Sequence, residues 1–337
     1  MGRRPTINDV ALAAGVSVAT VSKAVNGRYG IASETVARVL KVVEELGYES
    51  SLVASSMRSR RTGVIGVLVA DFEPFSAEIL KGVGAELHDS HYDLLAYAGS
   101  HQVEGPGWER RSLQRLSGTL IDGAIMVTPT VVSASGYIPV VAIDPHAGRA
   151  DLPTVESDSF SGARLATQYL IELGHTRIAF IGGRPDLRSA ALRDAGYRRA
   201  LADAGIPYDP ALVREGRYEQ ATAREPAMSL LNSPQRPTAV FAANDLSGIA
   251  TLEAAAQLGL EVPRDLSVIG FDDIPEASQM TPPLTTIRQP MKTLGATAAR
   301  MVMALMAGET LESMHVLLPT QLVPRATTAP PGAPGMR

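Results

Sequence analysis

The sequence predicts a small all-α domain followed by an α/β core of two lobes, each lobe a doubly wound parallel sheet. Two observations predict this fold class. The first sixty residues hold three short helical patterns separated by glycine. From Gly63 onward, apolar strand-like runs alternate with helical runs, and these runs form two successive sets. Strands that are buried on both faces and alternate with helices are typical of parallel sheets.

Composition and charge place limits on function. The 337 residues are 45% hydrophobic and 20% charged, which is typical of a globular protein and excludes wholesale disorder. The absence of cysteine excludes a disulfide framework, a cysteine-ligated metal site and a cysteine nucleophile. The formal net charge is −4, yet residues 1–62 hold nine basic and five acidic residues. A basic N-terminal segment on an acidic body favours a nucleic-acid partner for that segment.

The N-terminal residues and the apolar runs also bear on location. The first residues lack the apolar stretch of a secretory signal, and no run approaches the roughly 18 apolar residues of a membrane span. We therefore expect a cytoplasmic protein with no membrane contact.

The first helix is predicted to start after Thr6, a suitable N-cap, and to end at Gly15. A second helix follows Ser17 and runs to about Val25, and a third follows Ser33. Two short helices joined by a glycine turn, with a third behind them, describe a helix-turn-helix. The inward apolar positions of the first helix, at helical spacing, are Ile7, Val10, Ala11 and Ala14.

Three positions make this pattern specific. Ala11 is small where the second helix must cross the first, and Val21 is placed to pack between them. Gly15 lies in the turn, where a positive φ favours glycine. A three-helix cap without a ligand is the alternative reading of the same pattern.

The segment TINDVALAAGVSVATVSKAVNG resembles the start of the lactose-repressor (LacI/GalR) family of bacterial transcription regulators. The resemblance implies that the second helix lies in the DNA major groove, with Val18 and Ala19 facing base edges. Lys23 is implied to reach guanine acceptors. The other residues implied to contact DNA, chiefly its phosphates, are Thr6, Ser17, Thr20, Ser22 and Asn26.

Residues 50–62 resemble the hinge segment of the same family, which folds into a helix on operator DNA. The resemblance implies that Met57 is an apolar wedge in the minor groove, with Ala54 on the same face and Arg58 near phosphates. Ser50 and Ser51 depart from the family's usual Pro-Asn pair. A flexible basic linker is the alternative description.

Strands and helices of the core are predicted from apolar runs and helical periodicity. The predicted strands are 63–70, 92–98, 123–127 and 139–143 in the first set, and 177–183, 238–243 and 266–271 in the second. The predicted helices lie around 76–88, 161–173, 190–204, 219–232 and 246–258.

The domain organisation follows from these segments. We predict a helix-turn-helix domain over 1–49, a hinge over 50–62 and a core over 63–325. Lobe one spans about 63–156 and 290–318, and lobe two spans about 157–289 and 319–325. The Pro/Gly-rich residues 326–337 are predicted to be a disordered tail.

In open α/β sheets, ligands bind beyond the carboxyl ends of the strands. The residues that follow the predicted strands mainly have side chains that accept hydrogen bonds. Near them the sequence places one arginine, whose guanidinium can donate two parallel hydrogen bonds, and several aromatic rings. This chemistry suits a neutral polyhydroxylated ligand, because carboxylates accept from hydroxyls and an aromatic face covers sugar C–H groups. The candidate residues are Asp71, Phe72, Phe75, Thr128, Asp144, Arg193, Tyr218, Asn244 and Asp272.

The core also resembles the effector-binding core of the LacI/GalR family, which is similar to type I periplasmic binding proteins. Segments that carry this resemblance include SAALRDAGYRRAL, AVFAANDLSGIATLEAAAQLGL, LSVIGFDDIP and PPLTTIRQP. The resemblance implies effector contacts at Arg193, Asn244 and Asp272, and also at Asp144, Tyr218 and Gln289. It implies a homodimer, and the chain lacks a C-terminal leucine heptad that would make a tetramer.

Several residues are given structural roles. IGGRPD is interpreted as a turn, because it lacks the lysine and hydroxyl of a phosphate loop. We expect Asp272 to face the ligand and Asp273 to serve structure, since adjacent residues on a strand point to opposite faces. His175 is interpreted as a packing or hinge residue and Trp108 as surface packing. We expect no metal and no cofactor.

The sequence therefore predicts a dimeric repressor of carbohydrate-utilisation genes that leaves its operator when it binds a small sugar, a mono- or oligosaccharide. The alternatives are an effector that acts as co-repressor, a non-sugar metabolite, or a sugar-binding transport protein. An enzyme is not expected, because no paired acid–base or metal constellation is present.

Overall fold

The computed structural model describes residues 5–25, 30–47, 61–99, 107–130, 138–146 and 152–332. The chain forms two compact units, residues 1–62 and residues 63–337. Among the described residues, no helix combines the length and the apolar character that crossing a bilayer requires.

The N-terminal unit consists of α1 (Ile7–Ala14), α2 (Val18–Val25) and α3 (Ser33–Leu46). The Asp9 carboxylate accepts the Thr6 N–H and the Thr6 hydroxyl, each at 2.7 Å, which stabilises the first turn of α1. Gly15 has φ +65°, as the turn position predicts. The small core of this unit consists of Val10, Ala11, Ala14, Val21, Ala24 and Val39.

Lobe one is built on a six-stranded parallel sheet in the order β11-β5-β4-β3-β1-β2. Its strands are β1 (Val64–Val69), β2 (Asp93–Ala98), β3 (Gly123–Val127), β4 (Val140–Ile143), β5 (Thr154–Ser157) and β11 (His315–Leu318). Its helices are α4 (Pro74–Leu87), α5 (Trp108–Leu116) and α11 (Met291–Met306).

Lobe two has the equivalent order β12-β10-β9-β8-β6-β7, with only the edge strand β12 antiparallel. Its strands are β6 (Ile178–Gly182), β7 (Val213–Glu215), β8 (Ala239–Ala242), β9 (Ser267–Asp272), β10 (Thr285–Arg288) and β12 (Gln321–Val323). Its helices are α6 (Ser159–Glu172), α7 (Arg188–Asp203), α8 (Gln220–Leu231), α9 (Asp245–Gln257) and α10 (Pro275–Gln279), with a 3-10 turn at Pro210–Leu212.

These two sheets confirm the predicted fold class. In each sheet the strand order reverses beside the first strand of the set, between β1 and β3 and between β6 and β8, and such switch points are where ligands bind. The chain passes between the sheets three times, after β5, after β10 and after β11. The sequence did not predict β5, β7, β10, β11, β12, α5, α10 or α11. The missed strands have only three or four residues, α10 has five, and α5 is mostly polar.

Trp108 corrects the expectation of surface packing. It is the first residue of α5, and its side chain is almost fully buried beside Leu68, Leu113 and Ile121. The adjacent Gly99 leaves room for the indole, since a Cβ there would lie 1.9 Å from a ring carbon. The indole therefore helps to form the core of lobe one.

The predicted disordered tail over 326–337 is wrong for residues 326–329. Thr327 is fully buried, and its hydroxyl accepts the Thr285 N–H at 2.8 Å and donates to the Val268 carbonyl at 2.7 Å. The buried His175 ring lies 2.9 Å from the Ala329 carbonyl and also 2.9 Å from the Thr238 hydroxyl. Pro/Gly composition suggested disorder, but the threonine hydroxyls find partners on the sheet. Residues 333–337 lie outside the described residues.

This anchoring gives a testable expectation. Thr327→Val should lower the free energy of unfolding by about 2–4 kcal/mol, because it leaves a buried N–H and a buried carbonyl without a partner. Urea unfolding of the full chain measures the change. Thr119→Val, at an exposed position, is the matched control. Equal small effects of both variants would contradict an anchored tail.

Candidate DNA-binding and effector sites

Helix α2 presents two different faces within the N-terminal unit. Val21 and Ala24 are buried, whereas Val18 is 37% exposed and Ala19 and Lys23 are also exposed. Ala19 and Lys23 lie on the side of the helix opposite Val21, and Val18 lies one turn before Val21 at the margin of the exposed face. The face that was predicted to contact bases is therefore open to a partner, and the contacts themselves stay a prediction.

The other predicted DNA contacts divide into three groups. Ser17 is exposed, and its hydroxyl accepts the Thr20 N–H at 3.1 Å, which caps α2. Thr20 and Ser22 are partly exposed, and the Thr6 hydroxyl is engaged with Asp9. The residues that lie outside the described ranges are Asn26, Ala54, Met57 and Arg58.

A cleft of about 950 Å³ lies where strand ends of the two lobes face each other. Nine of the ten predicted effector residues line it, from both lobes. They are Asp71, Phe75, Thr128, Asp144, Arg193, Tyr218, Asn244, Asp272 and Gln289. Because parallel strands bring their carboxyl ends to one edge, residues distant in sequence meet in one cavity.

Phe72 is the exception and corrects the prediction. Its side chain is 51% exposed, and it is not part of the cleft lining. The neighbouring Asp71 does line the cleft, and its carboxylate accepts the Phe72 N–H at 2.7 Å. Consecutive residues on extended backbone point to opposite sides, so only one of these two can enter the site.

Arg193, from α7, provides the forked donor at the base of the cleft. Its side chain is 6% exposed, and its guanidinium carbon lies 3.8 Å from the Phe271 ring centroid and 5.3 Å from that of Tyr218. One nitrogen donates to the Ala243 carbonyl and lies 3.5 Å from an Asp272 oxygen. The aromatic rings and the carboxylate hold the guanidinium in one orientation, which suits recognition of paired hydroxyls.

A hydrogen-bond chain that ends at Asp272, beside this arginine, links the two lobes. Asp144 of lobe one accepts the Ser157 N–H at 2.9 Å, and the Ser157 hydroxyl donates to the Gln289 side-chain oxygen. The Gln289 amide in turn donates to Asp272 of lobe two at 2.6 Å. Ser157 and Gln289 lie on two of the three passages between the lobes. The chain therefore connects ligand-facing carboxylates through the segments on which the lobes turn.

Backbone strain is concentrated in the same cleft. Among the described residues, the non-glycine positions with positive φ include Thr128 (+48°), Asp144 (+45°), Tyr218 (+67°) and Asp272 (+119°). All four line the cleft. Such conformations are costly for residues with a Cβ, and they are found where the surrounding structure fixes a functional geometry.

Burial shifts the pKa values of the cleft acids. Burial raises the pKa of Asp144 to about 6, although the Ser157 N–H opposes the shift. Burial also raises the pKa of Asp272, and here the Arg193 charge opposes the shift. Perturbed carboxylates grouped in a cleft are typical of ligand-binding sites.

Asp273 takes the structural role that was predicted for it. Its carboxylate forms ion pairs with Arg288 at 2.6 Å and with Arg325 at 2.5 Å. In the IGGRPD turn, a Cβ on Gly183 would lie 2.3 Å from the ring of Tyr218, whereas Arg184 of the same turn lines the cleft. Gly183 thus permits the close approach of the aromatic ring that lines the cleft.

The sequence prediction missed several lining residues, notably Glu73, His146 and Arg184. One of them had a usable signal. Glu73 lies two positions after Asp71, and residues two apart on extended backbone share a side, whereas the positive φ of Asp144 removes this signal for His146. Arg184 lies on the loop after β6, and its path depends on the tertiary fold.

Glu73 provides a pH-dependent prediction. Burial raises its pKa from 4.5 to about 7, against a hydrogen bond from Ser76. Between these values the folded protein holds a proton that the unfolded chain has released, so this stabilisation is complete below about pH 4.5 and is lost as the pH rises through 7. Relative to wild type, Glu73→Gln should gain about 1–3 kcal/mol in free energy of unfolding between pH 5 and pH 8.

Urea unfolding at the two pH values measures this gain. The exposed Glu276→Gln is the matched control, and its stability should follow wild type at both. A Glu73→Gln stability that also follows wild type would show that the Glu73 carboxyl titrates normally.

Comparisons with known proteins find relatives for both parts of the chain. Residues 6–51 match the model of the bacterial regulatory proteins of the lacI family, and residues 167–328 match a periplasmic binding protein-like domain. The chain is 34% identical to the HTH-type transcriptional regulator CelR of Thermobifida fusca, covering 96% of this chain and 98% of the relative. It is 36% identical to the ribose operon repressor of Escherichia coli K12, covering 96% and 99%.

Solved structures show the same similarity. A lac repressor dimer bound to operator and the anti-inducer ONPF has a TM-score of 0.85 at 28% identity, covering 97% of this chain and 100% of that chain. A complex of the regulator CelR with cellobiose has a TM-score of 0.72 at 32% identity, covering 96% and 100%. With an N-terminal helix-turn-helix, a two-lobed core and relatives of this similarity along its length, the chain belongs to the LacI family of bacterial regulatory proteins.

Proposed function

We propose that this LacI-family transcriptional regulator is a dimeric repressor of carbohydrate-utilisation genes that a small sugar releases from its operator. The observation that carries the sugar proposal is the cleft, where a clamped guanidinium lies among carboxylates and aromatic rings. Carboxylates accept hydrogen bonds from hydroxyls, arginine donates to them, and the rings cover C–H faces. Relatives named for cellobiose and ribose support the same ligand class.

The coupling between sugar and DNA follows from the three passages between the lobes. A sugar that touches Asp144 on lobe one and Asp272 on lobe two favours the arrangement in which both carboxylates reach it. A ligand shifts a conformational equilibrium only through such differential contacts. The coupling free energy is expected to be about 1–3 kcal/mol, which corresponds to a 5- to 150-fold change in operator affinity.

The proposal assigns this chain a regulatory role in the cytoplasm and not an enzymatic one. The cleft carboxylates are held by protein partners, Asp144 by Ser157 and Asp272 by Gln289, and this suits binding rather than proton transfer. The relatives above carry the names of regulators.

Gel-shift titration tests the proposal. An operator selected from random duplexes is titrated with the full-length protein, with and without mono- and disaccharides and nucleobases. We expect a sugar to weaken operator binding by 5-fold or more. A sugar that tightens binding would make it a co-repressor, contrary to the proposal, and a response only to nucleobases would overturn the sugar effector.

A further inference from the structure

Two buried polar atoms in the cleft have no hydrogen-bond partner among the residues that the structure describes. They are Oε2 of Glu73 and Nδ1 of His146. The other Glu73 oxygen accepts the Ser76 hydroxyl at 2.6 Å, which fixes the direction of the carboxyl group. Buried polar atoms are nearly always paired, so two unpaired atoms in one cleft indicate positions where a bound molecule supplies the partners.

The polar groups around Arg193, in contrast, already have hydrogen-bond partners within the protein. Both ends of the Asn244 amide are engaged, since its oxygen accepts the Ser247 N–H at 3.0 Å and its nitrogen donates to the Tyr218 carbonyl at 2.9 Å. Asp272 is likewise held by Gln289. Glu73 and His146 come from lobe one, whereas Arg193, Asn244 and Asp272 come from lobe two. The paired grouping thus lies on lobe two and the unpaired grouping on lobe one, and the charge of Arg193 acts on His146 while that of Asp272 acts on Glu73.

The size of the cavity allows both groupings to be used together. About 950 Å³ is close to the upper end of the roughly 300–1,000 Å³ range of small-molecule sites. A single sugar ring held by Arg193 has half the bulk of a disaccharide and would leave much of this volume to water. A second ring would bring hydroxyl donors to the unpaired atoms of lobe one.

The charges of the lining restrict the ligand further. The lining holds the carboxyl groups of Asp71, Glu73, Asp144, Glu219 and Asp272. Even with Glu73 counted as neutral because of its raised pKa, they outnumber the guanidinium groups of Arg184, Arg193 and Arg217. Two of these arginines are already paired outside the lining, Arg184 with Asp186 at 2.7 Å and Arg217 with Glu215 at 2.9 Å. A cleft with excess negative charge disfavours anions such as phosphorylated sugars.

We infer that Glu73 and His146 form a subsite for a second sugar ring, and that the effector is an uncharged saccharide of at least two rings. This inference rests on the proposed function, because it requires a sugar in the cleft. It assigns recognition of the first ring to lobe two and selection for chain length to lobe one. The sugar must therefore contact both lobes at once.

Calorimetric titration of the full-length protein tests the subsite with matched sugars. The probes are glucose with cellobiose and maltose, galactose with lactose, xylose with xylobiose, and glucose 6-phosphate. We expect one disaccharide to bind at least 10-fold more tightly than its constituent ring, and glucose 6-phosphate to bind more weakly than glucose. Glu73→Ala and His146→Ala should each lower disaccharide affinity far more than monosaccharide affinity, which removes most of the disaccharide advantage.

Exposed Glu276→Ala is the matched control, and its disaccharide advantage should equal that of wild type. Retained operator binding and circular dichroism show that each variant is folded. If a monosaccharide binds as tightly as every disaccharide, or if the lobe-one variants keep the full advantage, the subsite is wrong while the sugar effector stands. Tighter binding of the phosphorylated sugar would overturn the uncharged ligand. If no saccharide binds, the proposed function fails and the subsite fails with it.

Discussion

Arg193→Ala is expected to abolish the response to sugar, with sugar affinity falling at least about 100-fold, while operator affinity stays at the wild-type value. The guanidinium is buried and aligned by Phe271 and Asp272, so its hydrogen bonds to hydroxyls are charge-assisted and already oriented. Each such bond contributes about 1.5–3 kcal/mol, and two together exceed the factor of 100. Calorimetry and gel shift on the same preparation measure the two affinities.

Removing the arginine also leaves Asp272 buried without its cation, which by itself costs stability. Arg193→Lys keeps the charge and loses the fork, so it is the variant that preserves the fold and should still lose most of the sugar affinity. Arg199→Ala is the matched control, because this exposed arginine of α7 pairs only with Asp203 in the residues that the structure describes. A normal sugar response in both Arg193 variants would show that the effector binds elsewhere.

Val18→Asp is expected to weaken operator binding at least about 100-fold without changing sugar affinity. Val18 is exposed at the start of α2, one turn before the buried Val21. A carboxylate there would lose an apolar base contact and would repel the phosphates that dominate the affinity for DNA. Gel shift over a range of salt concentrations measures the loss of operator affinity and the part of that loss that is electrostatic.

Leu40→Asp is the matched control for this charge change. Leu40 is 46% exposed on α3, so the substitution lowers the charge of the N-terminal unit by the same amount on a different helix. We expect Leu40→Asp to weaken binding only slightly, and the effect should disappear at high salt. Equal losses in the two variants would mean that net charge matters and that α2 does not contact bases.

Much of the fold could be predicted because its signals are local. The spacing of Val10, Ala11 and Ala14 and the turn at Gly15 specify α1 and its turn, and the buried strands β1, β3 and β9 are continuous apolar runs. The missed strand β7 has three residues and gains its stability from pairing with β6. The tail was missed because the partners of Thr327 are some forty and sixty residues away.

The candidate site was predictable where sheet geometry alone decides position. Asp71 and Asp144 follow parallel strands of the first sheet, and Asp272 ends a parallel strand of the second. Each is therefore placed at the carboxyl edge of its own sheet whatever the surrounding loops do. The positive φ of Thr128 was not predictable, since local preference opposes it and only the packed structure maintains it. The unpaired state of Glu73 Oε2 was equally hidden, because it depends on which partners the tertiary fold brings near.

The three passages between the lobes have a mechanical consequence. A single passage would leave the two lobes free to rotate about several axes and to separate. Three passages together favour one rotation, about an axis that runs through them. Ser157 and Gln289 lie on two of these passages and are joined by a hydrogen bond, so they move together. Saccharides of different size should therefore stop the closure of the two lobes at different angles of the same rotation. The extent to which the operator is released should then vary with the size of the saccharide, while the conformational change stays the same.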